Sequence, residues 1–151
     1  TYSGVTATGR GAVLVKYSSA GVVQWARSVS ADTNQSQFSS VTVDSAGNVY
    51  ATGYQRTTGT FDYGNGITVT GTSSIVNVVL VKYSSSGTAQ WARSVSAGTG
   101  ESIFNSVATG GAGNVYAAGY QGGTGTFDYG NSVTVTGTSS NQNVVLVKYS
   151  E

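Results

Sequence analysis

Six acidic side chains supply most of the chemistry that this sequence could perform, because the chain contains no histidine and no cysteine. They are Asp32, Asp44, Asp62, Glu101, Asp128 and Glu151. Glycoside hydrolysis needs two carboxylates that face one bond, and no close pair occurs along the sequence. The plentiful Ser and Thr hydroxyls have no histidine to activate them. We therefore expect a protein that is not an enzyme, although a carboxylate pair assembled between repeats or chains stays open.

A calcium site is the other chemistry that these acids suggest. Asp44, in VDSAGN, stands in a sequence similar to a calcium loop, but its counterpart in the second half of the chain is Gly110. Asp62 and Asp128 each provide one carboxylate in an FDYGN turn, whereas calcium takes six to eight oxygen ligands. The pattern therefore favours Asp side chains that stabilise turns, and we expect no metal ion and no cofactor.

Composition excludes several classes of partner. Charged residues make up 9% of the 151 residues, and the net charge of +1 leaves no basic stripe for nucleic acid. No run of 18 apolar residues occurs, so no membrane-spanning helix is predicted. Low charge combined with abundant small hydroxyl residues is common in secreted bacterial surface proteins, so we expect an extracellular or cell-surface location.

The elements that must position any site belong to a 66-residue unit written twice. Residues 13–78 and 79–144 are identical at 47 of 66 positions. Residues 1–12 match part of a unit, and residues 145–151 begin a third one with VLVKYS. A fixed period of this kind indicates a supersecondary unit that cannot bury its apolar face alone.

Each unit is predicted to be all-β, with four main antiparallel strands and a small extra hairpin. In the second unit the strands are expected over 78–84, 89–96, 103–109 and 114–120. The small hairpin is expected over 127–137. The first of these strands is apolar on both faces, which predicts burial inside layered sheets.

Two aromatic and basic sets recur at fixed positions. Trp25 and Trp91 share a strand face with Arg27 and Arg93, and could stack on sugars or peptides. Because large aromatic side chains dominate core energetics, we favour a role in filling the space between sheets. Lys16, Lys82 and Lys148 could line a basic channel, but lysines that snorkel from the end of a buried strand are the favoured interpretation.

Loops are the remaining place for a binding site, because most differences between the two units fall there. Unconstrained drift in these loops is the favoured explanation. The ligand-binding candidates on these loops are Asp32, Asn34, Gln35, Gln55, Arg56, Glu101 and Gln121.

Two blocks carry a family resemblance: VKYSSSGTAQWARS and the GNVYATGY segment, followed by TGTFDYG and TVTGTSS. The pattern resembles the SBBP-type β-propeller repeat of large bacterial extracellular proteins. The resemblance covers essentially the whole chain. It implies one four-stranded blade per unit, hence about two and a third blades, and it implies no single activity.

An incomplete propeller predicts association, because propellers close with about 4 to 8 blades. We expect a homo-oligomer, either a closed trimer of about seven blades or a head-to-tail assembly, or else further blades of a longer chain. The leading interpretation is a structural or binding module that is completed by other blades. The alternatives are a lectin-like propeller that binds glycan or protein, and a subunit of an extracellular fibre.

Overall fold

The computed structural model describes residues 10–30 and 34–150. Within them the protein is built from β-strands, and a 3-10 turn at Gly111–Gly113 is the one helical element. The all-β prediction is therefore confirmed. The residues predicted as partial repeat 1–12 lie largely outside the described part, as do Asp32 and Glu151.

Three antiparallel sheets follow one another along the chain. Sheet I contains β1 (Val13–Tyr17) and β2 (Val23–Ser28). Sheet II is a four-stranded meander of β3 (Ser36–Val43), β4 (Val49–Arg56), β7 (Val76–Tyr83) and β8 (Ala89–Arg93). Sheet III contains β9 (Ser102–Thr109), β10 (Val115–Gly122) and β13 (Gln142–Tyr149).

Each of the two later sheets also carries the small hairpin that the sequence predicts. These are β5 (Thr60–Asp62) with β6 (Thr68–Thr70), and β11 (Thr126–Asp128) with β12 (Thr134–Thr136). The sheets and the sequence repeat have the same period but different phase. Sheet II begins inside the first 66-residue unit and ends inside the second.

The apolar cores lie between the sheets. Strand β7 is buried along its whole length, as its two-sided apolar sequence predicts. Its Val79 and Val81 pack with Trp25 toward sheet I. Its Val78 and Leu80 pack with residues of sheet III. Sheet II is therefore the central layer of the described stack.

The small hairpins brace neighbouring sheets. Asp62 forms a two-way backbone bridge with Ser30, which follows the last strand of sheet I. Phe61 and Tyr63 of the same hairpin are fully buried in the core between sheets I and II. Asp128 repeats the arrangement one unit later by bridging to residue 97. Each hairpin thus links its own sheet to the end of the preceding one.

Gln55 and Gln121, predicted as loop residues, lie instead in strands β4 and β10, and both side chains are fully buried. The Tyr63 hydroxyl donates to Gln55 Oε1 at 2.9 Å, and Gln55 Nε2 donates to the Val69 carbonyl at 3.3 Å. The Tyr129 hydroxyl and Gln121 repeat the first bond at 2.9 Å. These glutamines hold the small hairpin against its sheet, since a buried amide must find partners.

Replacing Gln55 is therefore expected to lower the free energy of unfolding. Gln55→Ala leaves the buried Tyr63 hydroxyl without a partner and removes a second hydrogen bond, that from Gln55 to the Val69 carbonyl. We expect it to lower the free energy of unfolding by roughly 2 to 4 kcal/mol. Tyr63→Phe leaves only the amide oxygen unpaired and should cost about 1 to 3 kcal/mol. Urea unfolding measures both. Gln35→Ala, at a partly exposed glutamine, is the control, and an equal loss for Gln35→Ala and Gln55→Ala would contradict this role.

Candidate functional site

Three side-chain hydrogen bonds join sheet I to the turn between β7 and β8. Trp25 Nε1 and Lys16 Nζ both donate to the Ser85 carbonyl, at 3.1 and 3.0 Å. Arg27 Nε donates to the Gly87 carbonyl two residues further along. We call this group of Lys16, Trp25 and Arg27 the Trp25 site. It recognises the backbone of a β-turn rather than a side chain.

Packing makes the Trp25 site rigid. The indole is buried, and the Arg27 guanidinium lies 5.7 Å from its ring centroid, within cation–π distance. The other neighbour is Tyr83, whose ring centroid is 6.3 Å from that of Trp25. Gly87 completes the fit, because a Cβ there would lie 2.7 Å from Trp25 Cδ2. The prediction that Trp and Arg fill the space between sheets is confirmed for this pair.

The repeat places the same three side chain types one unit later. Lys82, Trp91 and Arg93 border a cleft of about 580 Å³ between sheets II and III, which we call the Trp91 cleft. The Arg93 guanidinium again lies over the indole, 5.3 Å from its centroid. Most of the remaining lining comes from residues 129–131 and 133 at the turn of the small hairpin and from residues 147–150 at the end of β13. Trp91 is only partly buried, because no turn of the described residues occupies this cleft.

Tyr149 marks the same difference at the atomic level. Its counterpart Tyr83 donates its hydroxyl to the Tyr63 carbonyl at 3.2 Å. The Tyr149 hydroxyl is buried and has no hydrogen-bond partner among the described residues. Burial raises the pKa of Tyr149 above its usual range. A buried hydroxyl without a partner is costly, so the Trp91 cleft is the less complete of the two sites.

The recurring lysines do not share one environment. Lys16 reaches a carbonyl at the Trp25 site, and Lys148 is exposed. Lys82 differs from the snorkelling prediction, because its residue is buried and its ammonium lies 5.5 Å from the Tyr50 ring centroid. The reason is that β7 is covered on both faces, so its end is not as open as that of an outer strand.

Two of the predicted loop candidates are brought together at one end of sheet II. Arg56 Nε donates to Gln35 Oε1 at 3.0 Å, and Gln35 Nε2 donates to the Tyr54 hydroxyl at the same distance. The Tyr54 hydroxyl donates to Gln37 Oε1 at 3.1 Å. Sequence reasoning missed Tyr54, because it sits inside a strand in both units. Asn34 is exposed next to this group in sequence, and Asp32 lies outside the described residues.

The equivalent position in sheet III has different chemistry. Glu101 stands for Gln35, and Gly122 replaces Arg56. The backbone bond is shared, because the Glu101 carbonyl accepts from the Gly122 amide at 2.8 Å and the Gln35 carbonyl from the Arg56 amide at 2.9 Å, so the copies differ in their side chains. Burial and the charge of Glu101 raise the pKa of the Tyr120 hydroxyl. The two copies therefore present no common ligand set, and a shared binding role for these loops stays a prediction.

The acids act in turns, as the sequence predicts. The Asp62 and Asp128 carboxylates accept the Gly64 and Gly130 amides at 2.7 and 2.8 Å. Asp44 accepts from the Ala46 and Asn48 amides, each at 2.9 Å. Burial raises the pKa of Asp44, but hydrogen bonds from Asn48, Tyr50 and Ala46 outweigh it and hold the pKa below its usual range.

Neither a metal centre nor a membrane-crossing helix is found in the described ranges. Within 10–30 and 34–150, no three metal-ligating side chains of the His, Cys, Asp or Glu type come together. The same residues contain no helix with the length and apolar character to cross a membrane. No protein-family model matches the chain, and a search of curated proteins finds no significant match.

The fit of Gly87 against Trp25 generates a matched pair of variants. Gly87 and Gly21 occupy the same turn position one unit apart, with φ of +83° and +76°. A Cβ at Gly21 would meet nothing within 4 Å. Gly87→Ala and Gly21→Ala therefore share the cost of a left-handed alanine, roughly 1 to 2 kcal/mol, and only Gly87→Ala also displaces the indole. Urea unfolding of the dilute, dissociated chain, in which the Gly21 turn lies against no second copy, should show a larger loss for Gly87→Ala. Equal losses under these conditions would contradict docking of this turn on Trp25.

Asp44 generates a pH prediction. Because its folded pKa is lowered, its contribution to stability is present above the unfolded pKa of about 3.9 and disappears as the pH falls through the folded value. Between about pH 5 and pH 2, the parent chain should lose more free energy of unfolding than Asp44→Asn. Parallel pH profiles for the two proteins would show that the four hydrogen bonds do not favour the charged form.

Proposed function

We propose that this chain is a structural module without catalytic activity, a β-propeller type of repeat whose sheets act as blades and are completed by further repeats. The resemblance to SBBP-type repeats supports this class and an extracellular bacterial setting. Successive antiparallel sheets with apolar cores between them also support it, since blades of a propeller pack face to face.

One comparison within the chain carries the proposal. Val144 and Leu146 on β13 are 89% and 69% exposed. Their counterparts Val78 and Leu80, 66 residues earlier, are fully buried against sheet III. The same apolar face is therefore covered in one repeat and open in the next. Tyr116 follows the same pattern, since it is exposed while its counterpart Tyr50 is buried.

Sheet II has a matching open face on β3, on the side toward sheet I, which contains only two strands in the described residues. Val41 on β3 is 53% exposed, whereas its counterpart Val107 on β9 is buried between sheets II and III. The Val107 amide also donates to Ser40 Oγ of sheet II at 3.3 Å. Sheet III thus exposes the apolar face that, in sheet II, the following sheet covers. Sheet II exposes the apolar face that, in sheet III, the preceding sheet covers.

Burial of these faces provides the driving force. Full burial of a Val, Leu or aromatic side chain contributes roughly 1.5 to 3 kcal/mol, so four such residues provide several kcal/mol toward association. The interface inside the chain already shows that the two kinds of face are complementary. Repeated contacts of this kind close a ring when the rotation permits and otherwise extend as a filament.

The experiment is a matched pair of charge substitutions. Val41→Lys places an ammonium on the open face of sheet II, while Val22→Lys makes the same change at a turn position that is 64% exposed. The counterpart of Val22 is Thr88, which is also exposed, so no repeat covers this position. Light scattering should show that Val41→Lys dissociates the assembly and Val22→Lys does not. Equal masses for both variants and the parent chain would contradict the proposal.

A further inference from the structure

Two strands of this chain have the same sequence and stand at opposite ends of the stack. Residues 13–18 and 145–150 both read VLVKYS, which covers β1 and most of β13. Both are counterparts of β7, the third strand of the complete sheet II. Whatever pairs with one of them through backbone and side chains can therefore pair with the other.

The two strands differ in what accompanies them. β1 continues through a turn into β2 and forms the same hairpin as β7 with β8, including the same bulge after the lysine. β13 pairs with β10 on one edge, and its other edge has no partner strand among the described residues. Sheet III therefore has three strands where sheet II has four.

We propose that the β1–β2 hairpin of a second copy of this chain replaces β13 beside β10 and completes sheet III. The inference rests on the proposed function and names its partner and its mode of contact. The resulting order, β9-β10-β1-β2, repeats the order β3-β4-β7-β8 of sheet II. Identical pairing replaces identical pairing over residues 145–149, whereas Arg10, Gly11 and Ala12 would take the places of Gln142, Asn143 and Val144. The exchange therefore costs little over the five shared residues.

Register defines what the incoming strand would contact. Val145 and Val147 face Gly119 and Ala117 of β10 and are buried in the core between sheets II and III. Val13 and Val15 of the second copy would take these two places. Both are only partly buried in their own chain, where Tyr17 is half exposed. Val13 and Val15 would gain the burial that Val145 and Val147 lose, so any net gain in buried apolar surface comes from the turn in the Trp91 cleft and from the covered outer face.

The incoming turn would fill the Trp91 cleft. In sheet II, turn 84–88 lies against the Trp25 site and accepts three hydrogen bonds from it. The turn between β1 and β2, residues 18–22, is its counterpart, with serine at residues 18 and 19 and glycine at residue 21. In the exchanged sheet this turn would lie against Trp91 and Arg93. The Trp91 cleft is then a β-turn binding site with the chemistry of the Trp25 site.

The second copy also covers the outer face of sheet III. Its own sheet II packs on its β1–β2 hairpin through Trp25 and Leu14, and so follows the hairpin into place. Val41 of that sheet would then face sheet III, as Val107 faces sheet II inside the chain. One exchange therefore covers Tyr116 and Val41 and fills the cleft, while Val144 and Leu146 leave sheet III with the displaced β13 and Leu14 takes the place of Leu146.

Exchange changes the count of sheets in a closed assembly. Each chain contributes two sheets: its own sheet II, and a sheet III that the β1–β2 hairpin of a neighbour completes. Sheet I is not counted separately, because its two strands join sheet III of another copy. Closed rings of two, three or four chains would then hold 4, 6 or 8 sheets, within the usual range of about 4 to 8 for propellers. A trimer would have six blades instead of about seven.

A disulfide lock tests the exchange in the full chain. Ala118 and Leu146 are paired directly across β10 and β13, a spacing that suits a disulfide, and the chain has no other cysteine. Oxidised Ala118→Cys/Leu146→Cys holds β13 in place, so we expect the locked chain to be monomeric and to recover its assembly on reduction. The same chain before oxidation is the control, and Ala118→Ser alone, which keeps Leu146 and is treated with the same oxidant and reductant, should assemble throughout.

The outcomes separate the exchange from the proposed function. A locked chain that assembles as well as the reduced one overturns the exchange, while assembly through faces would remain. A parent chain that is monomeric without any substitution overturns both.

A mixing experiment provides a second, independent measurement. Chains with Ala118→Cys alone and Leu14→Cys alone should form a covalent heterodimer, since Leu14 would take the place of Leu146 opposite Ala118. Absence of this heterodimer in an assembled mixture would also contradict the exchange.

Discussion

Burial of a strand on both of its faces is the constraint on which this structure depends. Strand β7 carries apolar residues at successive positions, and every one of its residues is buried. Because side chains alternate between faces, such a strand needs one sheet on each side. Sheets I and III provide these layers, and the small hairpins fill the remaining space with Phe61 and Phe127. The sequence contains this strand three times, as β1, β7 and β13. Among the described residues only β7 is covered on both faces.

The repeat also provides an internal control for each contact. Trp25 binds a β-turn, whereas Trp91 borders an open cleft. Tyr83 donates its hydroxyl to a carbonyl, whereas the Tyr149 hydroxyl is buried without a partner among the described residues. The two tryptophans have the same sequence context and differ in whether a neighbouring turn is present. For Tyr149 the counterpart of the Tyr63 carbonyl is the Tyr129 carbonyl of the same unit, so a missing neighbour does not explain its lack of a bond. The difference between the tryptophans therefore follows the presence of a neighbouring turn rather than altered chemistry, and this supports the proposal of association more than a role in binding a small ligand.

Local sequence predicted what local forces determine. The strand positions, the small hairpins and the turn roles of Asp62 and Asp128 follow from alternation and turn chemistry, and the structure confirms them. The phase between the repeat and the sheets could not be predicted, because it depends on which neighbouring strands pair. Gln55 and Gln121 look like loop residues in sequence, yet they are buried by Tyr63 and Tyr129, eight residues further along each unit. The Trp91 cleft likewise appears only when two sheets are placed together.

Sedimentation equilibrium of the unmodified chain over a wide concentration range tests the central claim most directly. The chain has a mass of 15.3 kDa. If repeats of other copies cover the open faces, the native mass is a multiple of this value, with a discrete species for a closed ring or a growing series for a filament. A single species of 15.3 kDa at every concentration would contradict the account.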